Sequence, residues 1–93
     1  MNGLEKHEED AFRVVIDELR WAKERFPRFA DDLFQAIALC GEEYGETCMA
    51  INDYHFDGKP LTNVIVEAGQ QAATAIRTIC MALEIKEHSH ADA

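Results

Sequence analysis

The chain divides into three stretches in which apolar positions recur every three or four residues. Pro27, in "RFPRF", and Pro60, after the turn signal "DGK", separate them. No stretch alternates with a period of two, so strands are not expected. The first stretch runs from about Leu4 to Phe26. Phe12, Val15, Ile16, Leu19, Ala22 and Phe26 fall on one face, with Arg13, Asp17, Glu18, Arg20 and Glu24 outside. Val14 and Trp21, seven apart, share a line on that polar side and are candidate contacts for a partner chain or a base.

The second stretch runs from about Asp32 to Tyr54, capped by Asp31 or Asp32, with Asp32 and Gln35 arranged as a capping box. One face holds Ile37, Cys40, Gly41, Tyr44, Cys48, Ile51 and His55. Another interleaves Glu42, Glu43, Glu46 and Asp53 with Leu39, Met49 and Ala50. The third stretch runs from Pro60 to about Ile85. Its apolar residues point in nearly every direction, while Asn63, Glu67, Gln70, Gln71, Thr74 and Arg77 form one narrow stripe. A helix this apolar is buried, and its polar stripe must face something polar. The glutamate face of the second helix is the natural partner. Two other helices of one copy cannot cover the remainder. The pattern therefore predicts an all-α protein, a three-helix bundle completed by oligomerisation, with Val64, Ala68, Ala72, Ala75 or Ile79 at a subunit contact. Residues 1–87 form one domain, and 88–93 are expected to be a disordered tail.

Composition narrows the functions. With 93 residues there is room for one domain, and 47% hydrophobic content suits a folded one. The net charge of −9 argues against a nucleic-acid partner. Three cysteines in apolar surroundings are no disulfide framework, the N-terminus is charged, and no run spans a bilayer. A cytoplasmic protein without a membrane partner is expected.

The candidate chemistry sits in "EEYGE". Glu43 and Glu46 are three apart on one helix, as are Glu67 and Gln70 on the next. Each pair projects to one point, so antiparallel neighbours would gather four oxygen-bearing side chains around one volume. Carboxylates buried together repel, and a divalent cation relieves them. Oxygen-only ligands select Mg²⁺, with Mn²⁺ as substitute. The Glu-x-x-His pairs of di-iron bundles are absent. A solvated helix face remains the competing reading.

The pattern E-E-x-x-E, about twenty residues, then E-x-x-D resembles the MazG-like all-α nucleoside triphosphate pyrophosphohydrolases. Here Glu42, Glu43 and Glu46 stand in the first element, and Glu67 with Gln70 in the second, Gln70 taking the aspartate position. "WAKERFPRF" resembles the helix end and loop that precede the motif, and the likeness spans roughly Trp21 to Ile79. The resemblance implies assembly as a homodimer or dimer of dimers. It implies Mg²⁺-dependent cleavage between the α and β phosphates of a nucleotide, giving a monophosphate and pyrophosphate. By position, Glu43, Glu46, Glu67 and Gln70 would hold metal, and Glu42 would help orient the attacking water. The neutral Gln70 leaves open weaker binding, a shifted second ion, or a non-catalytic helical oligomerisation or binding module. Among substrate-binding candidates, Arg77 could meet a phosphate or pair with an acid of the second helix. Lys59 could reach a phosphate or stay solvated. Trp21, with Phe26, could stack on a base or pack against protein.

Overall fold

The computed structural model describes residues 5–89 as three helices, α1 Lys6–Arg25, α2 Leu33–Asp57 and α3 Leu61–Glu87, with no strand among them. The expected helix start at Leu4 and residues 90–93 of the expected tail lie outside the described residues. The end of α3 passes Ile85 by two residues, so part of the polar C-terminal stretch is helical.

Local chemistry sets the boundaries. Glu8 and Glu9 lie in the first turn of α1, and Lys23 and Arg25 in its last, each sign matching the helix dipole. At the start of α2, Asp32 Oδ1 accepts the Gln35 N–H at 2.8 Å. The expected capping box is offset: Gln35 Oε1 accepts the N–H of Asp31, at 2.6 Å, and not that of Asp32. At the other end, Gly58 has φ 67, a left-handed backbone that costs glycine nothing. The Lys59 N–H then returns to the Asp53 carbonyl at 3.2 Å, closing the helix before Pro60.

The central element is α3, which packs against both other helices, while α1 and α2 do not pack on each other. Small residues make the contacts. Ala36, Thr47 and Ala50 of α2 and Gly69 and Ala73 of α3 are the buried positions. A Cβ on Gly69 would stand 2.7 Å from Val14 Cγ1 and 3.1 Å from Glu18 Cγ, so α1 crosses α3 where a side chain is missing. This corrects two expectations. Val14 is half-buried in that crossing, and Glu18, expected outside, is half-buried beside it.

The α2 face of Ile37, Tyr44 and Ile51 does not turn inward; these residues are 64%, 62% and 41% exposed. Smaller residues face α3 and bring the two backbones close. No large side chain is fully buried among the described residues. The chain exposes 7194 Å², against roughly 5,400 Å² for a folded monomer of 10.5 kDa. Among the described residues, no helix is long and apolar enough to cross a membrane.

Candidate functional site

The register of α2 places Glu43 and Glu46 one turn apart on the side that meets α3, and α3 brings Glu67 to them. One carboxylate oxygen from each lies within 4.8 Å of the others. Glu46 is exposed, while Glu43 and Glu67 are half-buried. Glu43 Oε2 and Glu67 Oε2 are buried oxygen atoms without a hydrogen-bond partner. Burial, then the charges of Glu46 and Glu67, a hydrogen bond with Glu46 and the charge of Glu42 push the Glu43 carboxyl above its ordinary value of 4.5. Burial, then the charge of Glu46, a hydrogen bond with it and the charge of Glu18 do the same for Glu67. The two half-buried acids thus resist ionising.

A cleft of about 340 Å³ adjoins these acids. Trp21 and Ala22 of α1, with Phe26 just past its end, form one wall. Leu39, Glu42 and Glu43 of α2 form another, Gln70, Thr74 and Arg77 of α3 the floor, and Arg28 and Phe29 the end. Trp21 and Phe26 meet edge to face with centroids 6.3 Å apart. Trp21 is 46% exposed and Phe26 54%, so ring surface remains open to a ligand.

The polar stripe of α3 is divided between its neighbours. Glu67 joins the α2 glutamates. Gln70 turns toward α1, its Nε2 donating to Glu18 Oε1 at 3.1 Å. Arg77 also serves α1. Its guanidinium donates to the carbonyls of Phe26 at 2.8 Å and of Ala22 and Pro27 at 3.4 Å. It also lies 4.9 Å from the Phe29 ring centroid. Burial pushes its pKa below the usual arginine value. No acid of α2 pairs with Arg77 among the described residues; it fastens the chain at and just past the C-terminal end of α1 and also lines the cleft.

Glu42 lines the cleft and is exposed. Lys59 is exposed in the α2–α3 turn and is not among the residues lining the cleft. Asp53 and Asn63 border a shallow depression that also touches Glu46 and Glu67. Sequence reasoning missed Glu18, Thr74 and Phe29. A signal for Glu18 was present, since it falls between Val14 and Trp21 on the line those two residues marked.

Oxygen donors alone, two of them buried and unpartnered, fit a hard divalent cation. A carboxylate cluster of this kind also occurs without one, and the arrangement by itself names no family. Compared with known protein families, curated proteins and solved structures, the chain matches none.

Proposed function

We propose that the protein is a Mg²⁺-dependent nucleotide pyrophosphohydrolase of the MazG-like kind, acting as a homo-oligomer. The observation that carries this reading is the meeting of Glu43, Glu46 and Glu67 within 4.8 Å beside an aromatic-walled cleft. In this reading Glu43, Glu46 and Glu67 hold the cation. When bound, Mg²⁺ supplies charge neutralisation of the phosphates and a bound water of lowered pKa. Trp21 and Phe26 offer ring faces to a base, and Leu39 and Phe29 exclude water beside it. Glu42, at the cleft's edge, orients the attacking water.

Oligomerisation belongs to the same proposal. Phe34, Ile37, Gly41, Tyr44, Cys48 and Ile51 of α2 step by three and four, as do Leu61, Ile65, Ala68, Ala72, Ala75 and Ile79 of α3. A 3.5-residue repeat is the seam of packed helices. Phe34 is 86% exposed, Leu61 50% and Ile79 57%. The surplus area over a folded monomer is about 1,800 Å² by the scaling above, ample for a stable interface at about 800 Å² per partner.

A non-catalytic helical module is the second reading, favoured by the neutral Gln70 and its engagement with Glu18. One pair of measurements separates the two. Calorimetric titration with Mg²⁺ and Mn²⁺ should show binding that Glu67→Gln abolishes, and a panel of nucleoside triphosphates should release pyrophosphate with the native chain alone. Metal binding without hydrolysis of any nucleotide selects the module. Absence of binding removes the metal centre from both.

A further inference from the structure

We propose that Gln70, oriented by Glu18, chooses the ring admitted to the cleft: its Oε1 accepts a hydrogen bond from the amino group of an amino-bearing nucleobase lying against Trp21. This inference rests on the reading of the cleft as a nucleotide site and requires no cation.

The direction of the Gln70 amide is set from behind. Its Nε2 donates to Glu18 Oε1 at 3.1 Å, and an ionised carboxylate only accepts, so the nitrogen end of the amide is the one turned to Glu18. Glu18 reaches it from α1, which comes close because Gly69 has no Cβ; one built there would stand 3.1 Å from Glu18 Cγ. Gln70 lines the cleft, and Glu18 is not among the lining residues. The other end of the amide is Oε1. Among the described residues nothing donates to that oxygen, and it is not one of the buried oxygens left without a partner. A half-buried side chain, fixed at one end, thus keeps an accessible acceptor at the other.

The neighbouring polar groups offer lone pairs too. Thr74, one turn along α3, spends its hydroxyl proton on the Gln70 backbone carbonyl at 2.9 Å, so its oxygen can only accept. The Glu42 carboxylate on the α2 wall also accepts. The donors nearby are engaged. Arg77 serves the carbonyls of Ala22, Phe26 and Pro27, and Arg28 pairs with Asp31. A ring entering beside Trp21 therefore meets acceptors, and a match needs hydrogens on its edge. An exocyclic amino group supplies them. A ring without one takes water from Gln70 Oε1 and returns nothing, which is where the discrimination arises.

The test uses Trp21, the only tryptophan in the chain and part of the cleft wall, as a fluorescence reporter of ring entry. In EDTA, the native chain, Gln70→Leu and Glu18→Gln are titrated with adenosine and cytidine monophosphates and with the two analogues that lack only the amino group. At least one amino compound should bind the native chain about fivefold more tightly than its analogue, the effect of one hydrogen bond. Gln70→Leu should bind the two members of that pair alike. Glu18→Gln frees the amide to turn either end outward, so it should narrow the ratio, whereas mere loosening of the fold would weaken both members equally. Equal affinities within both pairs on the native chain overturn the role of Gln70 and leave the cleft a nucleotide site; this comparison needs no variant. A ratio kept in either variant also overturns the proposal. If none of the compounds quenches Trp21, base binding in the cleft falls and the proposal with it, whatever the chain does with metal.

Discussion

The two flanks of α2 carry opposite characters. On one, Glu42, Glu43 and Glu46 look toward α3 or the cleft it shares with α1, and the polar atoms there find few partners. On the other, the large side chains of Phe34, Ile37 and Tyr44 stand in the open. The first flank is crowded with charge, the second bare of cover. The difference is one of unmet needs: two buried acid oxygens on one flank have no hydrogen-bond partner, and the large apolar side chains of the other are exposed. Only the α3 side of α2, built from Ala36, Thr47 and Ala50, is complete within one chain.

The largest expected effect comes from the bare flank. With no large side chain fully buried among the described residues, a single copy has little core to fall back on. On the proposed homo-oligomer, the paired change Ile37→Asp and Ile79→Asp should give a monomer by light scattering and, at micromolar concentration, leave the chain largely unfolded by far-ultraviolet dichroism. Each site alone should lower the melting temperature and make it concentration-dependent. A double variant that scatters light as a native-sized oligomer would break the comparison at its root.

A smaller effect is expected where α1 is fastened. Arg77→Ala removes charged donors from three carbonyls at the end of α1 and the contact with Phe29. The loss should be about 2 kcal/mol in denaturant titration, in the range for hydrogen bonds to a charged group. Arg77→Lys should recover only part of it, since an ammonium lacks the planar fork that reaches several carbonyls.

The smallest effect sharpens the acidic flank. Glu43 and Glu67 have folded values raised above 4.5. Their protonated forms are favoured by folding, so the stability they contribute is complete below the unfolded value and is lost as pH rises through the raised one. In EDTA, the native chain should therefore lose stability relative to Glu67→Gln as pH climbs from about 4.5 toward neutrality. Mg²⁺ should close that gap, more at the upper end, where protons no longer compete with it. Parallel melts of the two proteins across pH, with and without Mg²⁺, give the sign directly.

The helices and their three- and four-residue spacing were legible from the chain because periodicity and the breaks at Pro27 and Pro60 are local properties. So was the meeting of Glu43, Glu46 and Glu67, which needs only one i, i+3 relation on α2 and an antiparallel turn; Gln70, expected beside them, turns to Glu18 on α1 instead. What escaped depended on distances between helices. The exposure of Ile37 and Tyr44 was not legible, because hydrophobicity alone does not say that alanines will decide which side meets α3. Glu18 read as solvated, because nothing local announces that Gly69 lets α1 approach. The carbonyl contacts of Arg77 went unread, because they belong to a helix end some fifty residues earlier in the chain.

Among the described residues the backbones of α1 and α2 stay apart, and this has a consequence for how the molecule opens. Because α1 rests on α3 alone, it can lift away without parting any of the α2–α3 packing. The molecule then has two rungs of local unfolding, not one, and α1 occupies the lower. Amide protons of α1 should exchange with solvent at a lower opening free energy than those of α2 and α3. Trp21, Phe26 and Glu18 all ride on that helix, so the wall of the cleft that a substrate would press against is also the part of the fold most readily withdrawn.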